Sequence, residues 1–390
     1  VDAAASLRVG LPASLDSQVG PVVVPDDEKA VRGLTTLGEG EHWVLTPRYL
    51  GDGLWTPGIR AGVVPGSEFH LTEYFAPVLG VMRVDTLEDA IDAVNEVDYG
   101  LTSGLHTLDS AELATWLEGI EAGNLYVNRG ITGAIVRRQP FGGWKRSAIG
   151  STTKAGGPSY LLGLGDIESV PGATAAVEAT NAETLAPSVL ALSGAAAPYL
   201  SADEAAELTR AVRADAAAWA SDYGANRDVT GMVCERNVLR YRPTPVLVRA
   251  GSGTPLVDTV RVLAAGLLAG GPIGLSVADT LPQPVLELLE SLGIEVTGED
   301  EASWDSRLSM VANSGGLGMR VRVLGPRDET SAQRWARASR ASSGSPDVAL
   351  YTGDVTPCPH SELLPFLREQ AVSITNHRFG TPLDLAEELL

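Results

Sequence analysis

The feature that most constrains this chain is a rhythm, in which short apolar runs of β-type residues alternate with segments of helical period along most of its length. In the first part, β-type runs at 40–46, 79–84, 103–107 and 124–128 are interleaved with helical patterns at 86–96 and 110–121. Alternation of this kind predicts an α/β domain with parallel strands, because a parallel pair needs a crossover long enough to hold a helix. The helix at 86–96 is the best specified. Asp85 or Thr86 can cap it, Glu88 and Asp89 lie at its positive end, and Ala90, Ile91 and Val94 share a face. A second rhythm begins near 245, with β runs at 246–248, 273–277, 294–296, 321–324, 347–351 and 372–375 and helices at 257–268 and 284–292. It predicts a second doubly wound sheet. Between the two, 166–202 is rich in Ala, Ser, Thr and Pro and reads as a linker or covering segment. A helix at about 203–223 follows, entered through Ser201-Ala202-Asp203-Glu204. The expected division is 1–165, 166–244 and 245–390, in keeping with single cores that rarely grow past about 250 to 300 residues.

Charge excludes several classes of partner. Lys and Arg number 29 against 49 Asp and Glu, a net charge of -20 that repels phosphate backbones and anionic lipid, so nucleic acid is not an expected partner. Cys234 and Cys358 are far apart with no CxxC spacing, which predicts neither a disulfide framework nor a zinc knuckle and suits a reducing cytoplasm. The five histidines (His42, His70, His106, His360 and His377) show no metal-ligand spacing. No apolar run reaches the roughly 18 residues of a membrane span, and Val1-Asp2-Ala3-Ala4-Ala5 lacks the basic region and apolar core of a signal peptide. Residues 1–9 read as the end of a helix already under way, so the chain is expected to begin inside a domain.

Two stretches carry candidate chemistry. In Asn124-Leu-Tyr-Val-Asn128-Arg-Gly130-Ile-Thr-Gly133-Ala134, continuing to Gln139-Pro140-Phe141-Gly142-Gly143, a strand delivers a glycine-bearing loop and then a turn. Consecutive backbone N–H groups in such a loop form a nest for a carboxylate, although taken alone Gly and Pro in this density favour a structural turn. In His70-Leu-Thr-Glu73-Tyr-Phe75-Ala-Pro77, a carboxylate and an aromatic sit two residues apart before a strand. Glu is suited to accept from both hydroxyls of a ribose, and in isolation Glu73 would be a solvated surface acid.

Together with Asn95-Glu-Val-Asp-Tyr99-Gly100-Leu101-Thr102 between them, these segments resemble the C-terminal half of the aldehyde dehydrogenase superfamily. The resemblance implies NAD-dependent oxidation of an aldehyde by a cysteine thiolate, with Glu73 holding the nicotinamide ribose and Phe75 packing beside the nicotinamide. Within the superfamily, Gly133-Ala134-Ile135-Val136, Gln139-Pro140-Phe141-Gly142-Gly143 and Lys154-Ala155-Gly156-Gly157-Pro158 look like the L-glutamate γ-semialdehyde branch. There Gly133 and Ala134 match the loop that anchors the substrate's α-carboxylate, and Phe141 the aromatic lining its aliphatic chain. A small amino-acid semialdehyde needs such an anion nest at one end and apolar walls around its carbons. Arg137 and Arg138 are placed to add positive field, though solvated arginines are the commoner case.

Asp228-Val-Thr-Gly231 and Glu235-Arg236-Asn237, running to Arg240-Tyr241-Arg242-Pro243, resemble the end of that module in bifunctional proline-utilisation proteins, as does the second α/β domain down to His377-Arg378-Phe379-Gly380. The fold expected is therefore α/β, a partial aldehyde dehydrogenase catalytic domain followed by a non-catalytic, dehydrogenase-like domain. In that family the second domain covers the main module and helps to close the channel that carries the intermediate. The family places its nucleophilic cysteine, general-base glutamate and cofactor-binding Rossmann core before the region matched, so the expectation is a fragment without its own catalytic residue. Its partners would be a small-molecule substrate, the missing N-terminal portion and further copies of itself, while FAD would belong to a proline dehydrogenase domain not contained here. Open alternatives are a scaffold or channel lid, and an aldehyde dehydrogenase of another substrate class. Neither glycine cluster of the second domain reads as a phosphate cradle: Gly251-Ser-Gly253 has Leu256 at the third fingerprint position, and Gly315-Gly316-Leu-Gly318 precedes a strand.

Overall fold

The structure, a computed structural model, describes residues 1–390 except 25–26, 152, 166–184, 314–317 and 384. It comprises two compact units, residues 1–98 with 114–120, and residues 99–113 with 121–390, a boundary different from the one the rhythm suggests.

In the first unit, helix α1 (Glu28–Thr35) is followed by the sheet strands β1 (His42–Leu45), β2 (Gly58–Val63) and β3 (Val78–Met82). Strand β2 lies in the middle, antiparallel to β1 and parallel to β3. Helix α2 (Leu87–Asn95) begins as expected: Thr86 Oγ1 accepts from Asp89 N at 3.1 Å while Asp89 Oδ2 accepts from Thr86 N at 3.2 Å. Its buried residues are Ile91 and Ala93, whereas Val94 is exposed. That face is set by Ile91 lying close to Gly119, and Asn95 Nδ2 donates to Gly119 O at 2.8 Å.

The second unit is built on two sheets. One has the spatial order Arg227–Asp228, β6 (Glu235–Pro243), β12 (Leu367–Thr375), β5 (Asn124–Val127) and β4 (Thr102–Leu105). In the chain between the parallel pair β4 and β5 lies helix α3 (Ser110–Gly119), of which residues 114–119 belong to the first unit. All of β5 is buried, its apolar Leu125, Tyr126 and Val127 following a buried Asn124 whose side chain is hydrogen-bonded.

The other sheet is entirely parallel, β7 (Val246–Ala250), β8 (Ile273–Val277), β9 (Glu295–Gly298), β10 (Met319–Leu324) and β11 (Val348–Tyr351), in the order β9-β8-β7-β10-β11. Helices α6 (Leu256–Ala269), α7 (Gln283–Ser291), α8 (Glu301–Asn313) and α9 (Ser331–Ala341) link its strands, a doubly wound arrangement. Helix α6 buries Val260, Val262, Leu263 and Ala265 completely and centres the core.

Two expectations are corrected. Of the six β runs read after 245, five enter this sheet; the sixth, within β12, pairs instead with β6 (antiparallel) and β5 (parallel), so the chain's last long strand completes the sheet that begins before residue 130. Of the covering segment 166–202, residues 166–184 lie outside the described ones, and 187–196 form helix α4 (Pro187–Ala196). Its residues are apolar almost all round, which hides helical period, and it buries Val189, Leu192 and Ala196 in the α6 core. Helix α5 (Ala202–Ala218) has the expected Ser201/Glu204 capping box.

Candidate functional site

Glu73 and Phe75 lie in the first unit, in the extended segment after the short helix Glu68–Leu71. Tyr74 between them is buried, stacked on Phe69 with ring centroids 5.0 Å apart and pressed so closely to Gly33 that a Cβ there would lie 2.5 Å from its ring. Beneath this stack the Arg60 guanidinium sits 3.9 Å from the Phe69 ring centroid and donates to Glu41 Oε2 at 2.8 Å and to Gly33 O. With Tyr74 held inward, its neighbours are turned out. Glu73 is exposed and no donor pairs with it among the described residues, and Phe75 is exposed with a left-handed φ of 48°. Lys29 Nζ lies 5.3 Å from the Phe75 ring centroid.

Gly133, Ala134 and Phe141 lie in the second unit, on the chain that leaves β5. The buried Tyr126 phenol donates to Gly133 O at 2.5 Å, and burial pushes the phenol above its ordinary pKa, so it stays a donor. In a trans peptide the carbonyl and the following N–H point to opposite sides. Tying Gly133 O to Tyr126 therefore turns the Ala134 N–H away from the β5 core. Gly133 itself has φ 131°, and a Cβ on it would meet Gln139 Oε1 at 3.2 Å, so any side chain at this position is strained. The amides of Ile135 and Arg137 donate to Gln139 O (3.2 Å) and Gly156 O (2.8 Å), whereas those of Gly133 and Ala134 meet no acceptor among the described residues. Two exposed, adjacent and unpaired N–H groups on a fixed loop are what a carboxylate requires.

Phe141 is half-buried, and its N–H and C=O pair with Ala155 at 3.0 and 2.9 Å, which locks the Pro-Phe-Gly-Gly turn to the Lys154–Gly157 segment. Lys154 is buried, its Nζ donating to Asn124 Oδ1 at 3.0 Å and to Gly142 O, and burial lowers its pKa to about 7. Glu369 of β12 accepts from Lys154 N at 2.6 Å, and burial raises its own pKa. A cavity of about 390 Å³ in this unit is lined by Gly142, Lys154, Arg320, Arg368 and Glu369 among others, but by none of Gly133, Ala134 and Phe141.

The arginines near the loop are not a free positive field. Glu235 of β6 accepts from Arg129 Nη1 at 2.8 Å and also from Arg138 Nη2; Arg137 is exposed. Asn237 Nδ2 donates to the same carboxylate at 3.0 Å, and Gln139 Nε2 donates to Asn237 Oδ1 at 3.2 Å. Sequence reasoning missed Glu235 and Asn237 as partners of this loop because the pairing joins residues about a hundred positions apart, and the one available signal was that 228–243 resembles the end of the same module.

At the crossover point of the parallel sheet, the amides after β7 are held by the protein's own carboxylates. Gly253 N donates to Asp279 Oδ2 at 2.6 Å, Ser252 N to Glu301 Oε1 at 3.4 Å, and Arg249 Nη2 to Glu301 Oε1 at 2.8 Å. Acids stand where a pyrophosphate would need to approach. Of the later glycines, 315 and 316 lie outside the described residues. No group of three or more His, Cys, Asp and Glu suited to a metal occurs among the described residues, and no helix there is long and apolar enough to cross a membrane.

Residues 1–164 match the model of the aldehyde dehydrogenase family. The solved structure of Proline Utilization A (PutA) from Corynebacterium freiburgense superposes with a TM-score of 0.73 at 37% identity, covering 97% of this chain and 34% of that one. The bifunctional protein PutA of Rhizobium meliloti is 32% identical over 287 residues, 72% of this chain and 22% of the relative. A 1-pyrroline-5-carboxylate dehydrogenase of Geobacillus sp. (strain WCH70) is 34% identical over 165 residues, 42% of this chain and 32% of the relative. The chain thus spans about a third or less of the length of the relatives it matches.

Proposed function

We propose that the chain is part of an NAD-dependent dehydrogenase that oxidises L-glutamate γ-semialdehyde to L-glutamate in proline catabolism. The observation that carries this reading is the pair of amides at Gly133 and Ala134 that meet no acceptor among the described residues, set by the Tyr126 hydrogen bond, in a chain whose relatives are named for 1-pyrroline-5-carboxylate and proline utilisation. On this reading Gly133 and Ala134 bind the substrate's α-carboxylate, and Phe141 packs on its methylenes. Glu73, exposed and with no donor paired to it among the described residues, accepts from the nicotinamide ribose hydroxyls, and Phe75 packs on the nicotinamide, so these residues fit NAD. NAD, when bound, takes up the hydride. Such a reaction requires a thiolate to make the aldehyde carbon tetrahedral, and neither Cys234 nor Cys358 is assigned that role. The same reading takes 1–165 as the catalytic-domain part, 166–244 as its cover and 245–390 as a non-catalytic domain, in a cytoplasmic protein.

The test is NADH formation by the full-length protein that carries this sequence. L-glutamate γ-semialdehyde should be preferred over an alkanal of the same length, and residues 1–390 alone should give no NADH. Equal use of both aldehydes would overturn the substrate, and activity of the short chain would overturn the assignment of no nucleophile.

A second reading, a scaffold that closes a channel, is favoured by one observation: Leu367–Thr375 completes the sheet from which the Gly133 loop departs. Deleting 245–366 from the full-length protein, which keeps that strand, would then slow proline-to-glutamate flux more than oxidation of added semialdehyde.

A further inference from the structure

We infer that Glu235 is a positioning residue for the loop at Gly133 and Ala134, and through it a determinant of preference for aldehydes that carry a carboxylate. The inference rests on the proposal that this loop is the carboxylate anchor, and deepens it.

The loop is tied from outside at both ends. Arg129 and Arg138 bracket residues 130–137, and a single carboxylate, that of Glu235, takes a hydrogen bond from each. Glu235 is itself fixed by its place in the sheet. It opens β6 opposite Thr375 of β12, and β12 lies beside β5, the strand from which the loop departs. Clamp and loop base therefore belong to one hydrogen-bonded sheet. The Glu235 side chain is 12% exposed and those of Arg129 and Arg138 are 23% and 31% exposed, so these pairs are shielded from water more than ordinary surface bridges. Around them, Asn237 joins Glu235 to Gln139, and its own N–H donates to Asp228 Oδ2 at 3.0 Å. Asp228 also accepts from Thr230 N at 2.8 Å and Gly231 N at 3.3 Å; these bonds outweigh its burial and hold its pKa below the usual carboxylate value.

Two effects follow from this geometry. The loop is ordered before a ligand arrives, so binding does not bear that entropy. The second effect is electrostatic. With both guanidiniums held by Glu235, which cancels one of their two positive charges, an incoming carboxylate is met by the amides of Gly133 and Ala134 instead of being drawn to Arg129 or Arg138, and its aldehyde end stays in register. An aldehyde without a carboxylate uses neither effect.

The test is made in the full-length protein with Glu235→Ala, Glu235→Gln and Arg138→Met. Glu235→Ala should raise KM for L-glutamate γ-semialdehyde about tenfold with kcat within about twofold, and leave kcat/KM for propanal unchanged. Glu235→Gln, which keeps an acceptor oxygen, should recover most of the KM, and Arg138→Met should shift KM in the same direction as Glu235→Ala. Equal losses on both aldehydes, a fall in kcat alone, or no change would overturn the clamp. If the wild-type protein does not oxidise the semialdehyde, the functional proposal fails, and the clamp is then judged by hydrogen exchange of the 130–137 amides. Exchange should be faster in Glu235→Gln and Arg138→Met than in wild type; equal exchange overturns it.

Discussion

The Tyr126 hydroxyl hydrogen-bonds the Gly133 carbonyl at 2.5 Å, and this one contact orients the peptide whose N–H belongs to Ala134. Replacing Tyr126 by Phe removes the contact and leaves the ring packed. A neutral hydrogen bond of this kind is worth about 1 kcal/mol. KM for the semialdehyde should rise about fivefold with little change in Tm, as read by steady-state kinetics and thermal melting. An unaltered KM would mean that the loop holds its shape without Tyr126.

On the proposed function, Glu73 serves the cofactor. Glu73→Ala should raise KM for NAD about tenfold, since two charge-assisted hydrogen bonds are lost, while KM for the semialdehyde stays near wild type. A change confined to the aldehyde KM would remove Glu73 from the cofactor.

Lys154 makes stability depend on pH. Its folded pKa is lowered, mainly by burial, from 10.5 to about 7. A group lowered in this way contributes stability that is present in full above the unfolded value of 10.5 and is lost as pH falls through about 7. Wild type should therefore lose stability relative to Lys154→Met as pH is lowered from 10.5 towards 7, with the difference levelling off below. The variant leaves Asn124 Oδ1 and Gly142 O without this donor at every pH, a constant offset. Urea midpoints across that range check the slope, and a flat difference would show that the ammonium is not desolvated.

Arg261 donates both terminal nitrogens to Asp215, at 2.5 and 2.8 Å, with the two side chains 4% and 2% exposed. Arg261→Met strands the carboxylate and should cost about 3–5 kcal/mol in chemical denaturation. The double variant Arg261→Met, Asp215→Leu should recover most of that loss, because the pair's own burial is costly. Burial already raises Asp215 to about 6 despite the arginine. A double variant as unstable as the single one would argue that the ion pair is net stabilising.

How far the sequence alone revealed this molecule differs from place to place, for physical reasons. Helix α2 was readable because Thr86 and Asp89 satisfy each other's backbone locally, and β8 was found at Ile273–Val277 because a buried parallel strand is a short apolar run between turns. Helix α4 was missed because an almost uniformly apolar surface leaves no period to detect. Strand β6 was not read as a strand, since Glu235, Arg236, Asn237, Arg240 and Arg242 supply polar groups along it. The candidate loop was legible from its glycines, but what shapes it was not. Tyr126 acts through a hydroxyl that a burial pattern cannot show, and Glu235 acts across a fold that local spacing does not encode.

The strand Leu367–Thr375 carries an implication for how the chain matures. It is made well after β5, yet Ala371 and Ile374 pair with Asn124 and Val127 at the root of the Gly133 loop. Closing so long a segment makes this pairing a late, non-local event. A nascent chain completes the parallel sheet β7–β11 while β5, at the root of the Gly133 loop, still lacks its neighbouring strand. Removing residues 367–375 would then unpair β5, far upstream, as well as β6.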